Sequence, residues 1–410
     1  MEYSNNYNPA NTTVVNDALG ESLREVQALE EKLSSVSLPE RLKEEAMMSV
    51  SRLKRMFKLG GYSAEFETVS KYIDWITRIP WGLTSEDNLD IHRARKIMDE
   101  THHGMDTIKD LILDYIATMQ LQSSGGVERL RKDIIPSQVY YQNNISQGFQ
   151  NKPMENDVQV GVLRSSSANA PVFLFLGLQG VGKTSIAKSI AQSIGREFSR
   201  ISLGAIGDVR TLRGAPRYSP DAEPGQIIKS LVRCGTMNPV ILLDEIEKAS
   251  GNKGLLSDIM AVLLEILDPE QNSTFVDHYI DYPVDLSKVF FICTANNLGG
   301  LSAALLDRVE VIRFTSYSDQ EKEVIGKEYI LPKVLKNLNI SPEYIKIEEE
   351  VWPLIIRPVG FDAGIRQLER NITTIVRSAA RMIVEGKPLP IVINSSNLTD
   401  YVLADQGPLS

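Results

Sequence analysis

Gly177-Leu178-Gln179-Gly180-Val181-Gly182-Lys183-Thr184, with Ser185 next, follows the apolar run Val172–Leu176 and precedes a helix-like stretch, 185–194. These residue types at this spacing make a loop for phosphate. Glycines let backbone N–H groups close around phosphate oxygens, the Lys183 ammonium bridges the terminal phosphates, and the Thr184 hydroxyl ligates Mg²⁺. The alternative is a glycine-rich strand-to-helix turn without a ligand, and the Lys-Thr pair at the helix start speaks against it.

Four companions downstream bear on what such a loop would do. Val240-Ile241-Leu242-Leu243 runs into Asp244-Glu245, so that an apolar strand ends in two carboxylates. Asp244 can hold a hydrated Mg²⁺, and Glu245 can orient and activate the attacking water. The run 289–294 leads into Asn296, whose amide would lie where a terminal phosphate and its water meet a strand edge. An Asn after a strand is as readily a turn residue. Arg308, in Leu305-Leu306-Asp307-Arg308, is placed to leave its own subunit and reach a neighbour's terminal phosphate, unless it is a surface Arg paired with Asp307. Arg366 opens a late helix and could touch the nucleotide from a lid, or be an ordinary solvated helix charge.

Composition limits the function classes. The 410 residues, 42% apolar and 24% charged, suit two or three soluble domains. A formal net charge of −9 argues against nucleic acid as the primary partner, since phosphate contacts draw on a basic excess. Cys234 and Cys293, both in apolar contexts, suggest buried thiols and neither a disulfide framework nor a zinc site. There is no apolar run of membrane length, and the opening twenty residues are Asn-rich with no basic leader, which predicts a cytoplasmic protein away from membranes.

The elements that must position these residues are legible in outline. Residues 1–20 form a polar tail, expected to be disordered, and 21–119 form an α-helical N-terminal segment with apolar stripes such as Leu23, Val26, Leu29 and Leu33. Residues 120–169 are a polar insertion or linker. Five strand-like runs, 172–176, 198–203, 240–243, 289–294 and 309–314, alternate with helical stretches across 170–316 and predict a parallel sheet covered on both faces. Beyond Tyr317 the strand signal fades, and 317–405 reads as a helical domain. The fold class is α/β, a P-loop NTPase with a C-terminal helical lid.

The combination resembles the ATPase module of the Lon family of AAA+ proteases over most of 21–405. The runs that carry it are Tyr72-Ile73-Asp74-Trp75, Ile79-Pro80-Trp81-Gly82, Asp87-Asn88-Leu89-Asp90, Leu267-Asp268-Pro269-Glu270-Gln271-Asn272 with Phe275 and Asp277-His278-Tyr279, and Leu306-Asp307-Arg308-Val309-Glu310-Val311-Ile312. The resemblance implies an AAA+ five-stranded parallel core, a homohexameric ring, Mg-ATP hydrolysis and mechanical unfolding of unfolded or misfolded protein clients. It makes Asn296 sensor 1, Arg308 the trans arginine finger and Arg366 sensor 2. It assigns His103, Gly104 and Tyr317, with Ile108 nearby, to an adenine pocket.

Three departures are expected, the first being that only the helices that usually link the family's large amino-terminal substrate-recognition domain to the ATPase are represented. The family's peptidase domain, with its Ser-Lys dyad, would begin after a segment like 393–401, and these 410 residues supply no such dyad. The stretch 213–225 aligns with the substrate-gripping pore loop, but Tyr218 stands one position early and is followed by Ser219 and Pro220. A regulatory or scaffolding nucleotide-binding module, and a nucleic-acid motor or clamp loader, remain the rival readings.

Overall fold

The structure, a computed structural model, describes residues 23–58, 65–123, 172–250, 256–357 and 364–401. The expected tail 1–20, the polar stretch from 124 onward and the last residues of the expected lid lie outside the described residues. Five strands, β1 (Val172–Leu176), β2 (Phe198–Ser202), β3 (Val240–Asp244), β6 (Phe290–Ala295) and β7 (Val309–Arg313), form one sheet in the order β2-β3-β6-β1-β7. β3 runs parallel to β2 and β6 with Ser202 opposite Asp244 and Leu243 opposite Cys293. Every residue of β1, β3 and β6 is buried, as a sheet covered on both faces requires. The chain divides into two compact units, each discontinuous in sequence.

The first unit comprises residues up to Ser85, 171–173 and Glu197–Glu310. Its N-terminal helices bury one stripe each: Val26 and Leu33, then Leu42, Ala46, Val50, Leu53 and Phe57 at helical spacing on Glu40–Lys58. Lys54 pairs with Glu30 at 2.8 Å and Lys32 with Asp74 at 2.5 Å, tying the helix over 23–35 to Glu40–Lys58 and to the helix Glu65–Arg78. A two-residue hairpin, β4 (Phe275–Val276) and β5 (Pro283–Val284), was not apparent in the sequence. Cys293 is buried, and burial pushes its thiol up to about 12, so it is an inert core residue.

The second unit comprises Glu86–Ala170, Leu174–Arg196 and residues from Val311 onward. The helix Ile91–Thr101 begins at Asp90, whose side chain accepts from the backbone N–H of His92 and Arg93. It lies on the helix Lys183–Ile194. Arg93 donates to the Ser193 carbonyl at 2.8 Å, and Asn88 N–H donates to the Ile194 carbonyl at 2.9 Å. Asp87 grips the buried Arg196 guanidinium at 2.6 Å.

The late helices Asp319–Val324, Leu331–Asn337, Trp352–Ile356 and Arg366–Val384 share a core of Trp352, Ile372, Ile375, Val376 and their neighbours. Ser318 and Glu321 form a reciprocal capping box at the first of them. A short parallel pair, β8 (Ile345–Ile347) and β9 (Ile391–Ile393), closes the far side of this region, where the sequence predicts helices alone.

Candidate functional site

In the second unit the loop after β1 turns through Gly180 at φ 84° and Gly182 at φ 93° and then enters the helix at Lys183. Only glycine takes such values without strain, and a turn of this kind directs successive N–H groups toward one anion. Lys183 is 9% exposed and folds its ammonium back over the loop, donating to the carbonyls of Gly177 and, at 3.1 Å, of Leu178. Thr184 and Ser185 follow on the first turn of the helix.

The start of the late helix Arg366–Val384 lies against this loop. Ile365 N–H donates to the Gly180 carbonyl at 3.1 Å, and a Cβ at Gly364 would stand 2.6 Å from the Gln179 carbonyl oxygen. Arg366 reaches the Gln179 amide oxygen at 3.5 Å. The structure therefore brings Arg366 to the phosphate loop.

A cavity of about 410 Å³ opens beside the loop, lined among others by His102, His103, Gly182, Ser185, Tyr317 and Ile325. Tyr317 donates its phenol to the Val181 carbonyl at 3.1 Å, and burial pushes the hydroxyl up to about 12, which keeps it a donor. His103 faces the Tyr329 ring at 6.3 Å between centroids. Gly104, at φ 65°, and Ile108 do not line the cavity.

His102 is the residue that sequence reasoning passed over. Its Nε2 lies 2.9 Å from Ser185 Oγ, and its Nδ1 lies 2.9 Å from Thr101 Oγ1. Each of these hydroxyls also has a backbone carbonyl in reach, Gly182 for Ser185 at 2.9 Å and Ile97 for Thr101 at 2.8 Å, so a neutral ring donates to one hydroxyl and accepts from the other. Burial, aided by the Lys109 charge, lowers His102 to about 4, so the ring is neutral.

In the first unit the two carboxylates that end β3 are held differently. Asp244 is 5% exposed; one oxygen accepts from Thr294 Oγ1 and the other is paired with Arg200, Nε at 2.8 Å. Glu245 takes φ 59°, a conformation few non-glycine residues adopt, and its own N–H donates to Thr294 Oγ1 at 2.9 Å. This turn sends its side chain off the strand line, where Lys248 pairs with it at 2.8 Å. Asn296, just past β6, donates its side-chain amide to Glu247 at 2.6 Å. Thr294, Arg200 and Glu247 carried no spacing signal, since each acts through a partner some fifty residues away in sequence.

Arg308 pairs not with Asp307 but with Asp268, through Nε at 3.2 Å and Nη2 at 3.0 Å, and also donates to the Ala304 carbonyl. Burial of Asp268 opposes its charge, but the Glu270 N–H and the Arg308 guanidinium outweigh it and hold the carboxyl below its ordinary value. The Arg308 side chain remains 33% exposed.

Tyr218, at the tip of the 214–225 loop, is 83% exposed. The base of that loop is closed by buried Asp277, which accepts from Gly225 N–H at 2.7 Å. The neighbouring Arg217 stacks on the Tyr72 ring at 4.1 Å.

Among the described residues no helix is long and apolar enough to cross a membrane, and no cluster of three His, Cys, Asp or Glu side chains is arranged for a metal. Residues 173–317 match the family model of the ATPase family associated with various cellular activities (AAA), and 336–391 match that of the Lon protease AAA+ ATPase lid domain. The chain is 40% identical over 382 residues to Lon protease 2 of Thermus thermophilus, covering 93% of this chain and 43% of that protein. It is 37% identical over 378 residues to Lon protease 1 of Bacillus subtilis, covering 92% and 43%. Against Lon protease of Roseiflexus castenholzii the identity is also 37%, covering 92% and 42%. The chain thus spans less than half the length of these curated relatives.

Proposed function

Since this chain belongs to the Lon family, of which it carries the AAA ATPase and lid portions, we propose that it hydrolyses ATP and uses the cycle to pull on or remodel protein chains. The observation that carries the reading is the phosphate loop: two left-handed glycines, a buried lysine folded over the turn, and a lid residue, Gly364, packed so closely that no side chain fits. A nucleoside triphosphate fits that cradle, and the adjoining cavity of about 410 Å³ suits its base. Mg-ATP, when bound, supplies the transferable phosphoryl group and the divalent charge that offsets its oxygens.

The chain's own residues divide the work. Lys183 would hold the terminal phosphates, Thr184 and Asp244 would hold the Mg²⁺ that accompanies them, and Glu245 would orient the attacking water and take its proton. Asn296 aligns that water, and Arg366 reports the phosphate state to the lid. Arg308 serves a neighbouring copy, which requires a ring, hexameric in our reading, and its partial exposure leaves the guanidinium within reach of a second chain. The displayed Tyr218 is the group offered to a client protein.

The test is Glu245→Gln, expected to retain ATP binding and lose turnover by at least about 100-fold. Phosphate release at the wild-type rate would remove Glu245 from the reaction. A second reading, a nucleotide-binding scaffold, is favoured by Tyr218 being followed by Ser219 and Pro220 and by Arg200 sitting on Asp244. Stimulation of ATPase by an unfolded protein and not by DNA supports the motor; stimulation by neither supports the scaffold.

A further inference from the structure

We propose that Glu247 is a positioning residue for hydrolysis and acts through Asn296. The inference deepens the reading above and rests on it. Glu247 lies in the 3-10 turn Ile246–Ser250 that follows β3, two residues beyond Glu245. One of its oxygens, Oε1, takes both donors of a single residue: the Asn296 backbone N–H at 3.1 Å and the side-chain Nδ2 at 2.6 Å.

An ionised carboxylate only accepts, so the NH₂ end of the Asn296 amide must face it and the carbonyl end must point elsewhere. Glu247 therefore decides which end of the amide is presented to the reacting centre. Removing that acceptor takes away both hydrogen bonds that hold the NH₂ end toward the turn, and an end-for-end flip would exchange a hydrogen-bond acceptor for a donor where the water must be aligned. Such a loss falls on turnover and not on nucleotide affinity, because the phosphate loop and the base cavity belong to other residues.

The same turn also touches the other reacting group. Lys248 reaches Glu245 Oε2 at 2.8 Å, and the approach is close enough that a Cβ at Gly204 would stand 2.9 Å from that oxygen. The turn is thus packed on its strand ends, and Glu247 is held in place to do its work.

The experiment is a double-mutant cycle in steady-state ATPase kinetics on the full chain. Glu247→Met keeps the bulk and removes the acceptor; it is expected to lower kcat by about 10- to 100-fold with KM for ATP within about two-fold. In an Asn296→Ala background the same change should cost less than about two-fold, since its target is gone. Glu247→Gln keeps a carbonyl, which the Asn296 backbone N–H selects, and should retain most of the turnover; it also reads the proposal if the Met variant fails to fold. Equal fold-losses in both backgrounds, a raised KM at unchanged kcat, or a Gln variant as slow as the Met variant would overturn it. Unchanged kcat in Asn296→Ala itself removes Asn296 from the reaction and takes the proposal with it, whereas a large loss there with additive Glu247 effects sinks the proposal alone.

Discussion

Gly364→Ala is the most economical probe of whether the lid start and the phosphate loop act as one body. A Cβ at 364 would meet the Gln179 carbonyl oxygen and the Gly180 carbonyl carbon at 2.6 Å and Gly180 Cα at 2.7 Å. All three are backbone atoms of a turn whose glycines are already fixed at positive φ, so the loop cannot swing aside as a flexible side chain would. Overpacking of this kind costs about 1–3 kcal/mol. If the chain relieves it by withdrawing residue 365, the bond from Ile365 N–H to the Gly180 carbonyl, now 3.1 Å, is lost as well, at about 0.5–1.5 kcal/mol. Together the penalty is about 1.5–4.5 kcal/mol, which weakens nucleotide binding by roughly 10- to 2,000-fold if the clamped arrangement is the one that binds. Titration with a fluorescent ATP analogue reads the change directly. Gly386→Ala is the control: its φ is 80° with nothing within 4 Å, so it should lose stability and keep its affinity. A Gly364→Ala protein that binds nucleotide like the wild type would refute the argument.

Two further outcomes follow from the geometry. Arg308→Ala should abolish turnover with nucleotide binding retained and with a folding cost of only about 1 kcal/mol, because the pair with Asp268 is partly exposed; mixing it with Glu245→Gln subunits, which keep Arg308, should restore part of the activity, and no restoration would argue against a trans role. Asp277 titrates in the opposite sense to most carboxylates: burial pushes it up to about 6 against the pull of the Gly225, Ile280 and Tyr279 N–H groups. A folded value above the unfolded one means that the folded state binds the proton more tightly, so the contribution is complete below about pH 4 and is lost as pH rises through about 6, some ~3 kcal/mol in all. Thermal melts of the wild type and Asp277→Asn should therefore differ in slope between pH 4 and 7; parallel curves would show that Asp277 does not titrate in that window.

What the sequence discloses is what short-range pattern encodes. The glycine spacing at 177–184 and the apolar run into Asp244-Glu245 mark a strand-to-helix loop and a strand end without any tertiary information, and the five apolar runs give the sheet. The missed pieces share a cause. β8 and β9 are three residues each, too short to show alternation, and they exist because Ile345 and Ile391 meet across 45 intervening positions in the chain. Arg200, Asp268 and Glu247 are ordinary charges until folding supplies Asp244, Arg308 and Asn296 as partners. His102 and His103 are adjacent and chemically identical in the sequence, and only burial against Ser185 and Thr101 makes one of them a neutral ring held between two hydroxyls.

The docking of Ile91–Thr101 on the helix that begins at Lys183 has a practical corollary for anyone dissecting the gene. A recombinant fragment begun just upstream of Val172, where the family model for the ATPase starts, would lack Asp87, Asn88, Arg93 and His102. It would expose the back of the Lys183–Ile194 helix to water, remove the Asp87 carboxylate from Arg196 and take away one wall of the cavity beside the loop. A minimal nucleotide-binding fragment must open before Glu86, well upstream of the residues that the ATPase family model matches.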